Sequence, residues 1–302
     1  MSSKKFTFKI PSKTSRIRAI GNTSKLPDDS LKKILKTAEN FHNPIYAPEK
    51  EDWLSEQEED GQTFNQFLSD RYNIIAMNRN IIYINPLQDM PQEFLNNILL
   101  YCQSFFYPME VKLTNLVSLK SLKVKSRINH YSKKIQYHAD QILSKTEKYV
   151  PNDAHCVMFI LFDDLYPENS WNYVFGLASY EQRVGVFSFA RFSSSFESKN
   201  EPIIFDNYLL YCSCSTLTHE ICHTFGLDHC IYYTCLMNGC NSLEEAEKQT
   251  LYECPVCLRK LQYSIGFDPL ERYKKLLEVT KKFGGYFEIA SKWYEKRINS
   301  IN

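Results

Sequence analysis

The chain has 302 residues, enough for one large domain or two small ones, and its 36 Lys and Arg stand against 35 Asp and Glu for a net charge of +1. That balance gives no electrostatic footprint for nucleic acid. Hydrophobic residues make up 43% and aromatic residues 14%, which suits a globular protein, and no apolar run approaches the ~20 residues of a membrane span.

Residues 1–27 carry seven Lys or Arg and no acid, and are read as a basic, flexible extension. An organellar targeting segment has similar composition, but Pro11 and the lack of clear helical amphipathicity argue against it. Residues 28–79 are expected to form an N-terminal helical and irregular segment packed on the core. It opens with a short helix from Asp29 to Asn40, capped by Asp29 or Ser30. The acidic stretch Glu49 to Asp60, with Trp53 and Leu54 as its only strong anchors, is expected as a solvated surface segment.

The remaining domain, 80–302, begins with a strand at Ile81-Ile82-Tyr83-Ile84. A helix from Pro91 repeats Phe94, Ile98, Leu99, Cys102 and Phe105 at helical spacing and ends before Pro108. Met109 to Leu113 alternates as a half-exposed strand, and a second helix is expected from Tyr137 towards Lys148. The apolar run Cys156 to Phe162 suits a buried strand, with Asp163-Asp164 as the turn after it. Val184 to Ala190 reads as a further strand and Ser193 to Asp206 as a polar loop. The next helix is placed at about 215–225, starting near Ser215 or Thr216. Asp268-Pro269 should cap a helix to about Lys282, Gly284-Gly285 should break it, and a last helix should run to about Asn299. This alternation of helices and strands is what an α/β upper subdomain requires, within a chain expected to be α+β overall.

Chemistry concentrates in His219-Glu220-Ile221-Cys222-His223-Thr224-Phe225-Gly226-Leu227-Asp228-His229, which has the spacing H-E-x-x-H-x-x-G-x-x-H. On a helix, His219 and His223 share a face and can offer two ring nitrogens to one metal ion. Glu220 lies about 100° further round at ~3.6 residues per turn, near the ion without ligating it. Gly226 can take the left-handed conformation that ends helices, so that His229 returns as a third ligand and leaves a fourth position for water. Glu220 is then the candidate general base. Histidines can fall at these spacings by chance inside a buried helix, but the glycine and the third histidine each answer a separate geometric need.

Ten cysteines make a disulfide framework conceivable. With no secretory signal read at the N-terminus, metal is the better expectation. Cys254-Pro255-Val256-Cys257 has zinc-knuckle spacing, and Cys230 and Cys235 supply a second pair, so that four thiolates can close a structural site spanning 230–257. Free thiols or a transient redox pair are the competing account. Neighbours in an extended loop point oppositely, so His229 and Cys230 can serve two different ions, and the cysteine-held ion would brace the loop that delivers His229. Cys102, Cys156, Cys212, Cys214 and Cys222 are expected as small buried hydrophobes. Cys240 is the one other thiol close enough in sequence to compete as a ligand. His42, His130, His138 and His155 have no ligand spacing, and Tyr232-Tyr233 more simply packs than shapes a pocket.

The string from His219 to Cys230, followed by Cys235-Leu236-Met237 and Cys254-Pro255-Val256-Cys257, resembles the archaemetzincins. The resemblance extends upstream through Phe162-Asp163-Asp164-Leu165-Tyr166-Pro167 and Val184-Gly185-Val186-Phe187-Ser188-Phe189-Ala190-Arg191, and downstream through Leu258-Arg259-Lys260-Leu261-Gln262. It covers roughly Asn80 to Glu278. It implies a metzincin-like fold: a mixed twisted sheet, an active-site helix above a cleft, and a C-terminal part braced by a four-cysteine zinc site. It further implies two zinc ions per chain, a catalytic one on His219, His223 and His229 and a structural one on Cys230, Cys235, Cys254 and Cys257. Glu220 would be the base and Met237 the Met-turn methionine beneath the catalytic histidines. By the same resemblance, substrate backbone would pair along Val184 to Ala190 at the cleft edge. Some metzincins carry a tyrosine two residues after that methionine, where this chain has Gly239.

The expected function is that of a zinc metallopeptidase, with aminopeptidase-type action on peptides. The alternative is a two-zinc binding or regulatory protein with a vestigial peptidase site. The expected partner is a peptide substrate, with no nucleic acid and no membrane, for a monomer in the cytoplasm and nucleus.

Overall fold

The computed structural model describes residues 7–24, 26, 29–70, 73–179, 182–198 and 201–301. Residues 1–6, 25 and 27, part of the expected basic extension, lie outside the described residues. The chain divides into two compact units. One comprises Tyr72–Thr224 with Glu278–Glu288, the other Met1–Arg71, Phe225–Leu277 and Ile289–Asn302.

Among the described residues, the first unit is built on eight strands: β1 (Ile81–Pro86), β2 (Glu110–Leu113), β3 (Ser126–Ile128), β4 (Ile135–His138), β5 (Ala154–Leu161), β6 (Asp164–Tyr166), β7 (Gly176–Ser179) and β8 (Val184–Ser188). Five form a mixed sheet in the order β2-β1-β5-β8-β7, and three form a smaller sheet, β3-β4-β6. β1 pairs parallel to β2 and to β5, β5 parallel to β8, and β7 antiparallel to β8. All of β5 is buried, as a strand must be when both its edges are paired and both its faces covered. Val157, Phe159 and Leu161 face one way, joining Val184 and Val186 and packing with Ala139, Ile142 and Leu143 of the Ala139–Thr146 helix. The alternate residues Cys156, Met158 and Ile160 are equally buried. Their cover is the Asn207–Thr224 helix, which packs on β5 and on the Gln92–Phe105 helix. Burial pushes the thiols of Cys102, Cys156 and Cys214 upward, that of Cys156 to about 12, so these cysteines stay protonated core groups.

Three sequence expectations change here. Val184 to Ala190 is expected at the cleft edge, with an internal strand as the alternative; β8 is internal, flanked by β5 and β7, and β7 is the edge strand on that side of the sheet. Strand order is a product of non-local pairing, which the local apolar pattern of Val184 to Ser188 does not carry. Tyr137 and His138, expected to begin the helix towards Lys148, instead end strand β4, and the helix starts at Ala139. Gln136, fully buried, donates from Nε2 to Asp164 Oδ2 at 2.8 Å. Asp164 itself is no turn residue. It begins β6, and its carboxylate accepts from Arg191 Nε at 2.9 Å and Nη2 at 2.7 Å.

The Asn207–Thr224 helix begins eight residues before the expected Ser215. Asp206 starts it, accepting the Leu209 N–H on Oδ1 at 2.8 Å. Leu209, Leu210, Cys212, Ser213 and Cys214 are buried and the half-buried face carries Tyr208 and Tyr211, so the first two turns show no strongly polar face for a periodic pattern to reveal. The helix ends where Asn73 Nδ2 donates to the Thr224 carbonyl at 3.0 Å.

The second unit is helical. Residues 13–20, assigned by composition to a flexible extension, form the helix Lys13–Ile20, with the Ser12 hydroxyl accepting the Ser15 N–H. Arg16 is buried because its guanidinium meets Glu39 at 3.1 and 2.7 Å, and Arg259 donates to the Ile20 carbonyl from beneath. The Pro255–Ile265 helix has Cys254 as its N-cap residue and Pro255 in its first turn. Just before it, Glu253 accepts from Arg272 Nη2 at 2.6 Å and Nη1 at 3.2 Å, both side chains being essentially inaccessible. Removing one partner of such a pair costs about 3–5 kcal/mol. No helix among the described residues is long and apolar enough to cross a membrane.

Candidate metal centres and active site

In the sheet unit, the Asn207–Thr224 helix brings His219 and His223 together. Their Nε2 atoms are 3.0 Å apart and their ring centroids 4.7 Å, with the planes 75° apart. Two nitrogens bound at ~2.0–2.1 Å to one tetrahedral zinc would lie about 3.4 Å apart, so the pair converges as two ligands of one ion should. Both histidines are buried and Glu220, one residue after the first, is half-buried.

In the helical unit the chain reverses at Gly226, whose φ of +85° is open to glycine and strained for other residues. Gln62 spans this turn. Its Nε2 donates to the Gly226 carbonyl at 3.1 Å and its Oε1 accepts the Asp228 N–H at 3.4 Å. His229 follows, half-buried, with Nδ1 2.9 Å from Glu59 Oε1. The same oxygen accepts from the Trp53 indole at 2.8 Å, and the Trp53 ring meets the His229 ring edge-on at 5.0 Å. Burial works against the Glu59 carboxylate, but the hydrogen bonds from His229 and Trp53 outweigh it and hold its pKa below the usual value. By sequence, Glu49 to Asp60 is a solvated stretch, with Trp53 as one of its two anchors and no role for Glu59. Their partner lies about 170 positions away along the chain, and no local pattern signals such a pairing.

Cys230 turns the other way from His229, into a buried cluster with Cys235, Cys254 and Cys257 whose sulfurs all lie within 4.8 Å of one another. The Cys230 and Cys254 sulfurs are 3.5 Å apart, far beyond the ~2.05 Å of a disulfide and near the ~3.8 Å expected between corners of a zinc–thiolate tetrahedron. Burial opposes ionisation of Cys230, but hydrogen bonds from the other three thiols prevail and hold its pKa well below the usual range. Burial pushes Cys235 and Cys254 well above it. The donor set fits a tetrahedral thiophilic cation, and zinc is the borderline-soft ion such a set selects. Cys240 is outside the cluster.

Backbone donors already point at these sulfurs, since Cys235 Sγ accepts from Met237 N at 3.4 Å and Cys254 N at 3.1 Å. Met237 is fully buried and its carbonyl accepts the Cys230 N–H at 2.7 Å. Asn238, unnoticed in the sequence, knits the loop. It accepts the Cys235 N–H at 2.8 Å and donates to the carbonyls of Cys230 and Tyr233 at 2.6 and 3.0 Å. Gly239 has a packing reason to be glycine, because a Cβ there would sit 2.5 Å from Cδ1 of Trp53.

This α+β chain, with paired histidines on a buried helix and a four-cysteine cluster in its C-terminal part, belongs to peptidase family M54, whose pattern matches residues 77–263, and is a zinc-dependent metallopeptidase. Within that class it is an archaemetzincin. It is 40% identical to archaemetzincin-2 of Rattus norvegicus over 268 residues, covering 79% of this chain and 75% of the rat protein. It is 39% identical to archaemetzincin-2 of Homo sapiens over 276 residues, covering 82% and 77%. A crystal structure of a zinc-dependent peptidase from Methanocorpusculum labreanum aligns with 60% of this chain and 99% of its own, at 22% identity and a TM-score of 0.49.

Proposed function

We propose that this metallopeptidase holds its catalytic zinc on His219, His223 and His229 and uses Glu220 as general base. A second zinc on Cys230, Cys235, Cys254 and Cys257 is structural in this proposal, making two ions per chain. The observation that carries the catalytic assignment is the convergence of the His219 and His223 Nε2 atoms one helical turn apart, with Glu220 in the same turn. The reversal at Gly226 then returns His229 three residues later.

When bound, zinc supplies Lewis acidity towards a scissile carbonyl and makes water easier to deprotonate. The Glu220 carboxylate takes the proton of the attacking water and delivers it to the leaving amine nitrogen. Gly239 has no side chain to offer the oxyanion, so none of that stabilisation comes from the position where some metzincins use tyrosine. The edge strand β7 pairs only with β8 among the described residues, and the proposal lays the substrate backbone along its other side as an added strand.

Glu220→Gln tests the base. Peptide turnover should fall by at least about a hundredfold while the zinc content per chain stays unchanged. Turnover that persists would remove Glu220 from the chemistry, and a wild-type chain without turnover would favour the binding-protein alternative. The aminopeptidase form of the proposal, which rests on the family resemblance, expects a peptide with a free α-amino group to be cleaved and its N-acetylated counterpart to be spared.

A further inference from the structure

We infer that the segment 53–62 is a positioning strap for the third histidine, with Glu59 fixing the tautomer and direction of His229. This rests on the reading of His229 as a zinc ligand. An ionised carboxylate only accepts hydrogen bonds, and Glu59 Oε1 lies 2.9 Å from His229 Nδ1. The ring proton is therefore held on Nδ1, and the lone pair is left on Nε2. His219 and His223 also converge through Nε2, so the strap presents the third imidazole by the same atom as the other two. A carboxylate behind a ligating histidine both orients the ring and raises its basicity.

The other contacts of the segment remove the remaining freedom of the ring and of the loop beneath it. Gln62, itself buried, grips both sides of the turn through Gly226 O and Asp228 N. Trp53 closes one side of the imidazole and ties Glu59 through its indole N–H. Trp53 is in turn held by its backbone N–H, which donates to the Glu245 carboxylate at 2.9 and 3.0 Å. Hydrogen bonds thus run from Glu245 through Trp53 and Glu59 to His229. The positioning groups Trp53, Glu59 and Gln62 all lie before residue 77, where the family pattern begins.

The test uses the full-length chain and measures the affinity of each zinc by competition with a chromophoric chelator, with cobalt(II) absorption as a second readout. Glu59→Ala should weaken the histidine-held ion by about 10- to 100-fold and leave the cysteine-held ion in place. Glu59→Gln keeps an acceptor oxygen opposite Nδ1 and should recover much of that loss. His229→Ala is the reference. If it leaves the histidine-held ion as tight as in the wild type, His229 is not a ligand and the underlying reading fails. If His229→Ala weakens the ion but Glu59→Ala does not, the strap has no positioning role and only this inference falls. A Glu59→Ala loss that also strips the cysteine-held ion, or that Glu59→Gln does not repair, would reflect general loosening and overturn the inference as well.

Discussion

The indole of Trp53 packs against Gly239, so close that a methyl group on that glycine would fall 2.5 Å from Cδ1 and 2.6 Å from Nε1 of the ring. A rigid ring tied at both its backbone and its indole nitrogen cannot yield by a rotamer change. Gly239→Ala should therefore destabilise the protein by about 1–3 kcal/mol, the usual range for overpacking. In a Trp53→Leu background the same substitution should cost less than half as much, because the obstacle is gone. Urea unfolding of the four variants in the cycle measures this, and strict additivity would show that the two residues do not interfere.

Cys254→Ser leaves every catalytic candidate untouched and replaces one thiolate of the buried cluster by a hydroxyl, a far poorer zinc donor. Bound zinc should drop by one ion per chain, and the unfolding midpoint should fall and respond less to added zinc than that of the wild type. Each tenfold loss of affinity removes about 1.4 kcal/mol of linked stability. Wild-type chain stripped of both ions by a strong chelator should lose at least as much stability. An unchanged zinc content in Cys254→Ser would exclude Cys254 as a ligand.

His155, in β5, is held neutral. Burial first, then the charges of Arg79 and Arg183, lower its pKa from the ordinary 6.5 to about 3. The unfolded chain takes up a proton on this ring below 6.5 and the folded chain does not, so the contribution is present in full above 6.5 and is lost as pH falls towards 3. At pH 5 the loss amounts to about 2 kcal/mol. His155→Phe should make the decline in stability between neutral pH and about pH 5 shallower by nearly one proton. Parallel stability profiles for the two proteins, measured by urea unfolding, would show that His155 is protonated in the folded state as well.

What the sequence made legible depends on whether the information was local. The strand at Ile81, the helix ending before Pro108 and the buried strand at Cys156 each declare themselves within one periodic window. The four cysteines do so by spacing, and the structure gathers these same four sulfurs. The misplacements share a different cause. Tyr208 to Cys214 hides a helix because its half-buried face carries Tyr208 and Tyr211 while its buried face carries leucines and cysteines, so hydrophobicity has little period there. β8 became interior through its pairing with β5 on one side and β7 on the other. Arg16 lies in a stretch that composition alone makes a flexible extension, and its partner Glu39 is 23 residues on; Glu59 lies in a stretch that composition makes solvated, and its partner is His229.

All seven proposed metal ligands fall within residues 77–263, the stretch that the family pattern spans, while Trp53, Glu59 and Gln62 fall outside it. A chain trimmed to that stretch would keep every ligand and lose the three side chains that grip the 226–229 turn. The ligand motif is therefore portable as a string of letters but not as a coordination site of fixed geometry. Transplanting it into another scaffold means transplanting a carboxylate and a glutamine that no spacing rule would select.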